Sequence, residues 1–304
     1  MTAEPMACVV VTCGRPELLL RLLESVAAAE DAGLLSRLMV REVGGRADGE
    51  AVCRAFAGRL PIEYARQEDS RKTVALNAAV REVGGGLVVF LDDDVRIEPG
   101  LFSAYAAAAA AHPNAYFGGP FGVDRPQDPP DWLETYLPPS AVGRPPRGAG
   151  RVRNGGDFLG FNWAARAEDV LSCGGYDESL GPGCEVPLGD ESFMQRALAA
   201  GGLAGVEVPA AAVRHYVPPS RCSPQWALRR AYPGGVTRGL AIARHNPRRP
   251  WWRALAAELW RLIRWRGPRN IRPWTRRGRY FWRHSAQWLR GMRAGLADGG
   301  RSQG

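Results

Sequence analysis

The sequence predicts an α/β protein with a mostly parallel central sheet, extended at its C-terminal side by a basic helical region. Three observations lead there. The apolar runs MACVVVT at 6–12 and Leu87–Leu91 read as buried strands, and Leu35–Val43 is a second strand candidate. Stretches with helical spacing, PELLLRLLESVAAAE and TVALNAAVREVGG, lie between them, and strands alternating with helices imply a parallel sheet. Charge then divides the chain: residues 1–220 hold 20 Arg and Lys against 29 acids, while residues 221–304 hold 20 Arg against Glu258 and Asp298. An acidic body, 1–220, is thus followed by a strongly basic region, 221–304.

Within the body, Pro16 opens the first helix. Leu60–Tyr64 gives a weaker strand, and glycines 84–86 close the helix that precedes Leu87–Leu91. Glu98-Pro99-Gly100 starts an alanine-rich helix, Leu101–Ala111, stopped by His112-Pro113. Residues 118–156, rich in Gly, Pro and Arg, predict a long loop able to cover a site. Beyond it come GDFLGFNWAAR, a helix over Ala167–Ser172, the turn CGGYDESLGPG, a helix over Ser192–Ala200, and short strands at Val206–Val208 and Ala212–His215.

Hydrophobic residues make up 45% and charged residues 23% of 304, the balance of a folded protein. The six cysteines form no CxxC pair, which predicts free thiols in a reducing compartment. The first residues have no basic n-region, and no apolar run nears the roughly 20 residues of a membrane span. The expected location is cytoplasmic, at most peripheral on the inner face of the cell membrane.

VVFLDDDVRIEPG sets three adjacent aspartates against the end of a buried strand. Their mutual repulsion predicts a cation with a preference for oxygen ligands, the plainer reading being a solvated acidic turn. In a parallel α/β sheet, ligands bind at the carboxyl ends of strands, where this triplet falls.

Five segments in order, spanning roughly residues 6–240, carry a resemblance: VVVTCGRPELLLRLLESV, KTVALNAAVREVGGGLVVFLDDD, GDFLGFNWAARAEDVLSCGGYDESLG, LGDESFMQRAL and HYVPPSRCSPQWALRRAYPGG. Together they resemble the family 2 glycosyltransferases of the GT-A type, whose fold is a Rossmann-like nucleotide-diphospho-sugar transferase fold. The resemblance implies inverting transfer of a hexosyl or deoxyhexosyl group from a nucleotide-diphosphate sugar to an acceptor hydroxyl, assisted by Mn²⁺ or Mg²⁺. Residues 1–97 would form the donor half and 98–220 the acceptor half. The acceptor would be a glycan, a lipid-linked glycan or a glycosylated metabolite, with cell-envelope polysaccharide biosynthesis as setting.

By that resemblance Asp94 is a metal ligand and Asp92 faces the ribose, with Asp93 between them; alternation along an extended chain sends 92 and 94 the same way. Asp190 matches the family's catalytic base, and a carboxylate within reach of the acceptor hydroxyl is competent for that work. Asp190 reads equally as an N-cap of the helix starting near Ser192. The family's preceding glutamate is Gly189 here, with Glu191 as a substitute on the other side. His215 matches a further metal ligand of some relatives, or makes a strand-end hydrogen bond. Lys72, the only lysine among 40 basic residues, falls where relatives bind the donor. Thr12 and Arg15 stand where the nucleotide base would be received. The family's acidic second-strand segment is replaced by MVREVGGRADG, leaving Glu42 or Asp48 to read the base. On the acceptor side Phe158, Phe161 and Trp163 read as sugar-stacking surface or as core, with Trp163 favoured, and Asp157 as a hydroxyl partner or a turn cap.

Residues 249–293 interleave seven tryptophans with arginines. Trp252, Leu255, Leu259 and Ile263 recur at helical spacing, with Arg253, Arg261 and Arg264 off that line. Three readings stay open: the apolar face packs on the body, lies on an anionic membrane surface, or binds nucleic acid, the last least favoured. Two functions outside sugar transfer also stand: metal-dependent nucleotidyl transfer, and a non-catalytic nucleotide-sugar, membrane or nucleic-acid binding module on the same fold.

Overall fold

A sheet with apolar side chains on both faces organises the first of two units in the computed structural model. That unit comprises Met1–Pro126, Pro138–Glu185 and Gly189–Val217; the second comprises Gln127–Leu137, Val186–Leu188 and Pro218–Gly304. Residues 4–146, 152–153, 158–246, 248, 250–266 and 271–301 are described.

In the first unit β1 (Met6–Thr12) is buried along its length. It pairs in parallel with β2 (Leu35–Glu42) and β4 (Leu87–Asp92), and β3 (Ile62–Arg66) adds in parallel to β2. Alternation along β1 serves two layers. Met6, Cys8 and Val10 join one core with α1 (Pro16–Ala27), α2 (Glu50–Phe56) and α4 (Leu101–Ala111). Val9 and Val11 join the other with α3 (Lys72–Val83), α7 (Ala167–Ser172) and α8 (Asp190–Ala200). Burial on both faces is why β1 and β4 read as nearly continuous apolar runs.

Helix α1 shows how little sequence this takes: Leu19, Leu22, Leu23 and Val26 recur at i, i+3, i+4 and i+7, and all four are fully buried. Truncating one of them to alanine would cost about 2–5 kcal/mol.

The sheet is less regular than expected. Its order is β3-β2-β1-β4, then β9 (Asn162–Arg166), β6 (Ala115–Gly118), β10 (Ala204–Glu207) and β8 (Val152–Arg153). The unanticipated β9 inserts antiparallel between β4 and β6. β10 pairs with β6 in parallel, and β8 with β10 antiparallel.

Residues 118–156 are also not the plain loop predicted. They contain β7 (Phe121–Asp124), α5 (Asp131–Glu134) and α6 (Pro139–Val142), besides β8. β7 pairs with β11 (Val213–Tyr216), which pairs on its other side with β5 (Val95–Ile97), forming a second, three-stranded sheet. These partners lie some hundred residues apart in sequence, so local composition showed only the prolines and glycines.

The second unit holds α9 (Pro224–His245), α10 (Trp251–Arg266) and α11 (Arg276–Arg301). α9 runs through Pro233, Gly234 and Gly235, residues that would ordinarily end a helix. Packing overrides propensity there. A Cβ added at Gly235 or Gly239 would fall on the carbonyls of Trp288 or Met292, and one added at Gly291 or Gly295 on those of Tyr232 or Val236. The pairing advances along both helices together, so α9 and α11 run parallel, with backbones as close as small-xxx-small spacing permits. Glu258 of α10 is buried between them. It accepts from Arg261 at 2.5 Å and from the Trp288 indole at 3.0 Å, with Arg238 of α9 at 3.8 Å. Among the described residues, no helix is long and apolar enough to cross a membrane.

Candidate functional site

The aspartate triplet lies where β4 ends: Asp92 pairs with Lys72, while Asp93 and Asp94 share Arg15. The strand stops at Asp92, and Asp93 and Asp94 turn before β5. The expected alternation of 92 and 94 therefore fails, and the joined neighbours are Asp93 and Asp94. Arg15 donates from Nε to Asp93 Oδ2 at 3.0 Å and from Nη1 to Asp94 Oδ2 at 3.2 Å, with Nη2 2.5 Å from Asp93 Oδ1. The Thr12 hydroxyl donates to Asp93 Oδ2 at 2.6 Å. Burial pushes the Asp93 carboxyl up to about 7, against the pull of Arg15. Thr12 and Arg15, expected to meet a base, thus meet the aspartates.

Asp94 faces His215. β11 carries the imidazole inward, stacked on Phe161 with ring centroids 4.5 Å apart. Nδ1 lies 2.8 Å from the Ser140 carbonyl, which can only accept, so that nitrogen carries a proton and Nε2 is turned to Asp94 Oδ1 at 3.5 Å. One carboxylate oxygen and one imidazole nitrogen held by an outer carbonyl suit Mn²⁺. Among the described residues, no group of three or more Asp, Glu, His or Cys is arranged to hold a metal. The pair fits a metal whose other ligands come from a bound diphosphate, and it does not fit a site enclosed by protein alone.

Lys72 is the centre of the second half of the site. Sited at the first position of α3 and nearly buried, its ammonium pairs with Asp92. Burial alone would lower its pKa, but Asp92, Asp190 and Glu191 together hold it above the ordinary lysine value. Asp190 and Glu191 open α8, and Gly189 in the left-handed region (φ 98°) is the N-cap. Asp190 is accordingly the first helical residue and not the cap expected from sequence. Gly181, at φ 97°, lies against it: an added Cβ would come within 2.9 Å of Asp190 Cγ. Glu191 is half-buried, and burial, then the charge of Asp190 and their mutual hydrogen bond, push its carboxyl well above the usual range.

A polar frame aligns these pieces. Along the start of α3, Lys72 N–H donates to Pro182 O at 3.0 Å, and the Thr73 hydroxyl donates to Leu180 O at 3.2 Å. Asn77 Nδ2 donates to Tyr176 O at 3.0 Å, and Tyr176 N–H donates back to Asn77 Oδ1 at 2.7 Å. α3 thereby grips the turn that carries Gly181. On α8, Gln195 exchanges two 3.0 Å hydrogen bonds with the backbone of Phe158. Sequence reading missed Asn77, Gln195 and Gly181; for the first two the available signal was an amide side chain on the buried face of a helix, which demands partners.

Glu42 is wholly buried at the end of β2, and its carboxylate accepts from Tyr64 OH at 2.7 Å, Gly49 N–H at 2.9 Å and Gly14 N–H at 3.3 Å. It fastens the loops at this end of the sheet. Asp48, the alternative base reader, pairs with Arg46 at 2.8 Å on the surface. Trp163 corrects the acceptor expectation: it is fully buried and stacked on Phe90 at 4.6 Å between β4 and β6, so it offers no ring face to a sugar. Phe158 and Phe161 are buried as well. Asp157 lies outside the described residues.

A family model described as Glycosyl transferase family 2 matches residues 7–170. Among solved structures, the mannosyltransferase PcManGT of Pyrobaculum calidifontis, in complex with GDP-Man and Mn²⁺, is similar at TM-score 0.59 and 19% identity, over 95% of this chain and 88% of that one. GalNAc-T7, solved with UDP, GalNAc and Mn²⁺, gives TM-score 0.56 and 14% identity over 71% of this chain and 44% of its own. TarS of S. aureus gives 0.55 and 12% over 80% and 40%. The chain thus spans less than half the length of GalNAc-T7 and TarS. No curated protein matches the sequence. At these identities the likeness is one of fold, and that fold is the GT-A fold of glycosyltransferases.

Proposed function

The chain belongs to glycosyl transferase family 2, and from that premise we propose an inverting enzyme that moves one hexosyl or deoxyhexosyl group from a nucleotide-diphosphate sugar to an acceptor hydroxyl. The observation that carries the reading is the convergence on one buried cation, Lys72, of Asp92 from the end of β4 and of Asp190 and Glu191 from the start of α8. A donor-side carboxylate and a candidate base pair thus adjoin, as direct displacement requires.

In this reading Asp190 accepts the proton of the acceptor hydroxyl as its oxygen attacks the anomeric carbon and the bond to the diphosphate breaks. Glu191, whose carboxyl is pushed well above the usual range by burial and then by Asp190, keeps its proton more readily and stands beside the base. Lys72 holds both halves in register. Asp92-x-Asp94 acts as the DXD element, with Asp92 towards the ribose and Asp94 and His215 holding Mn²⁺ or Mg²⁺. When bound, that cation neutralises negative charge on the leaving diphosphate as a Lewis acid. Thr12 and Arg15 keep Asp93 and Asp94 in place, and Glu42 shapes the loops that receive the base.

The nucleotide-sugar part is supported by the complexes of the structural neighbours, which hold GDP-Man with Mn²⁺ or UDP with GalNAc and Mn²⁺. The acceptor is a glycan or lipid-linked glycan of the cell envelope, and the enzyme works on the cytoplasmic side, peripheral to an anionic membrane. A thermal-shift panel of UDP, GDP, dTDP and CDP sugars, with and without Mn²⁺ or Mg²⁺, tests the donor site, since a ligand of the native state raises its stability as RT ln(1 + [L]/Kd). A metal-dependent shift with one nucleotide, abolished by Asp94→Ala, is expected. No shift with any donor would overturn the reading.

A further inference from the structure

We propose that the outer face of α10 is an interfacial membrane anchor, lying in the headgroup layer of an anionic bilayer. The proposal rests on the peripheral placement suggested above, and it is independent of the transfer chemistry.

The inward line of α10 is Ala254, Glu258 and Leu262, one residue away from the line the sequence suggested. Leu255, Leu259 and Ile263 are left half-exposed beside it. Trp252 and Trp260, 54% and 64% exposed, stand on the outer side about 12 Å apart along the axis. Trp251 is 55% exposed and has Arg293 of α11 over its ring at 5.5 Å. Leaving rings of this size in water is unfavourable unless something covers them.

Charge selects what covers them. Arg253, Arg261 and Arg264 are exposed and follow one edge of this strip, while the sole acid of α10, Glu258, is turned inward. An apolar strip edged by arginines, with tryptophans at headgroup depth, is the pattern of a helix lying in the bilayer interface. A nucleic-acid groove would put the arginines along the centre, tracking phosphates, and here the centre is Leu255, Leu259 and Ile263. The glycine-packed pair α9 and α11, with Glu258 between, gives α10 a fixed inner face on which to present the strip.

The test is co-sedimentation of the full chain with vesicles of phosphatidylcholine alone and of an equal mixture with phosphatidylglycerol. Binding to the mixed vesicles alone is expected, weakened by salt. Trp252→Glu with Trp260→Glu should weaken it at least about tenfold. Arg253→Gln and Arg264→Gln, which leave the rings in place, should each weaken it about fivefold. Circular dichroism and the donor-induced thermal shift are followed on the same variants. Lost vesicle binding with the donor shift intact supports an anchor separate from the active site; a missing donor shift with vesicle binding intact sinks the transfer reading alone. Absence of binding to mixed vesicles, or binding indifferent to the tryptophan pair, overturns the anchor. So does capture of DNA or RNA by these residues in place of vesicles, or a dimer in solution that the tryptophan pair dissociates.

Discussion

Asn77 and Tyr176 hold each other twice: the Tyr176 N–H donates to Asn77 Oδ1 at 2.7 Å, and Asn77 Nδ2 donates back to the Tyr176 carbonyl at 3.0 Å. The same Nδ2 lies 2.9 Å from Glu178 Oε1. Helix α3 is thereby fixed to the turn that carries Gly181 against Asp190 of α8.

Asn77→Ala strands the Tyr176 N–H and C=O in a buried position, which costs about 2 kcal/mol or more. Because the freed turn carries Gly181 against Asp190, kcat should fall while the donor-induced thermal shift, which depends on the triplet, remains. A variant that loses stability with kcat unchanged would show that the turn is only structural.

Lys72→Met should be more damaging than its single ion pair suggests. Three carboxylates lose their common cation, and removing one partner of a buried pair typically costs about 3 kcal/mol. Lowered thermal stability together with lost transfer is expected. Lys72→Arg, whose planar fork cannot occupy the point position of an ammonium, should restore stability in part and turnover little. Full turnover in Lys72→Arg would mean that charge alone suffices there.

Much of this was legible in sequence where local pattern and tertiary structure agree. β1, α4 and α7 begin and end as their apolar runs and punctuation indicate, and the triplet marks the carboxyl end of β4. What escaped depends on distant partners. β9 is a strand because β4 and β6 flank it, and Trp163 became core because Phe90 of β4 stacks on it. α9 continues past Pro233 because α11 supplies glycines opposite its own. Which aspartate faces which cation was hidden too, since it turns on the strand ending at Asp92.

Glu191 makes the pH dependence readable. Its folded carboxyl is raised above the ordinary value of 4.5 by burial first and then by Asp190, so between that value and its folded one the native state binds more protons than the unfolded chain. Stability therefore declines as pH rises through this window, and no contribution is lost below it. Glu191→Gln, which mimics the protonated form, should flatten that part of the stability–pH curve and gain on the parent at neutral pH. Parallel curves for parent and variant, measured as melting temperature against pH, would show that Glu191 is not held protonated.

The α9–α11 pair predicts a sharp contrast among glycines. Gly239→Ala would drive a methyl into the Met292 carbonyl, and Gly295→Ala one into that of Val236, so the helices must separate along their length. Overpacking of this kind costs about 1–3 kcal/mol, more where backbone meets backbone. Gly58→Ala, with nothing within 4 Å of the added carbon and no positive φ, should be neutral or stabilising by up to about 1 kcal/mol through the unfolded chain. Thermal unfolding of the three variants decides it: the first two should melt well below the parent and Gly58→Ala at or above it. Because Glu258 bridges Arg238 of α9 and Trp288 of α11, the two damaging substitutions should also loosen α10 and expose its amides to hydrogen exchange. Unchanged melting in Gly239→Ala and Gly295→Ala would mean that the two helices do not pack backbone to backbone.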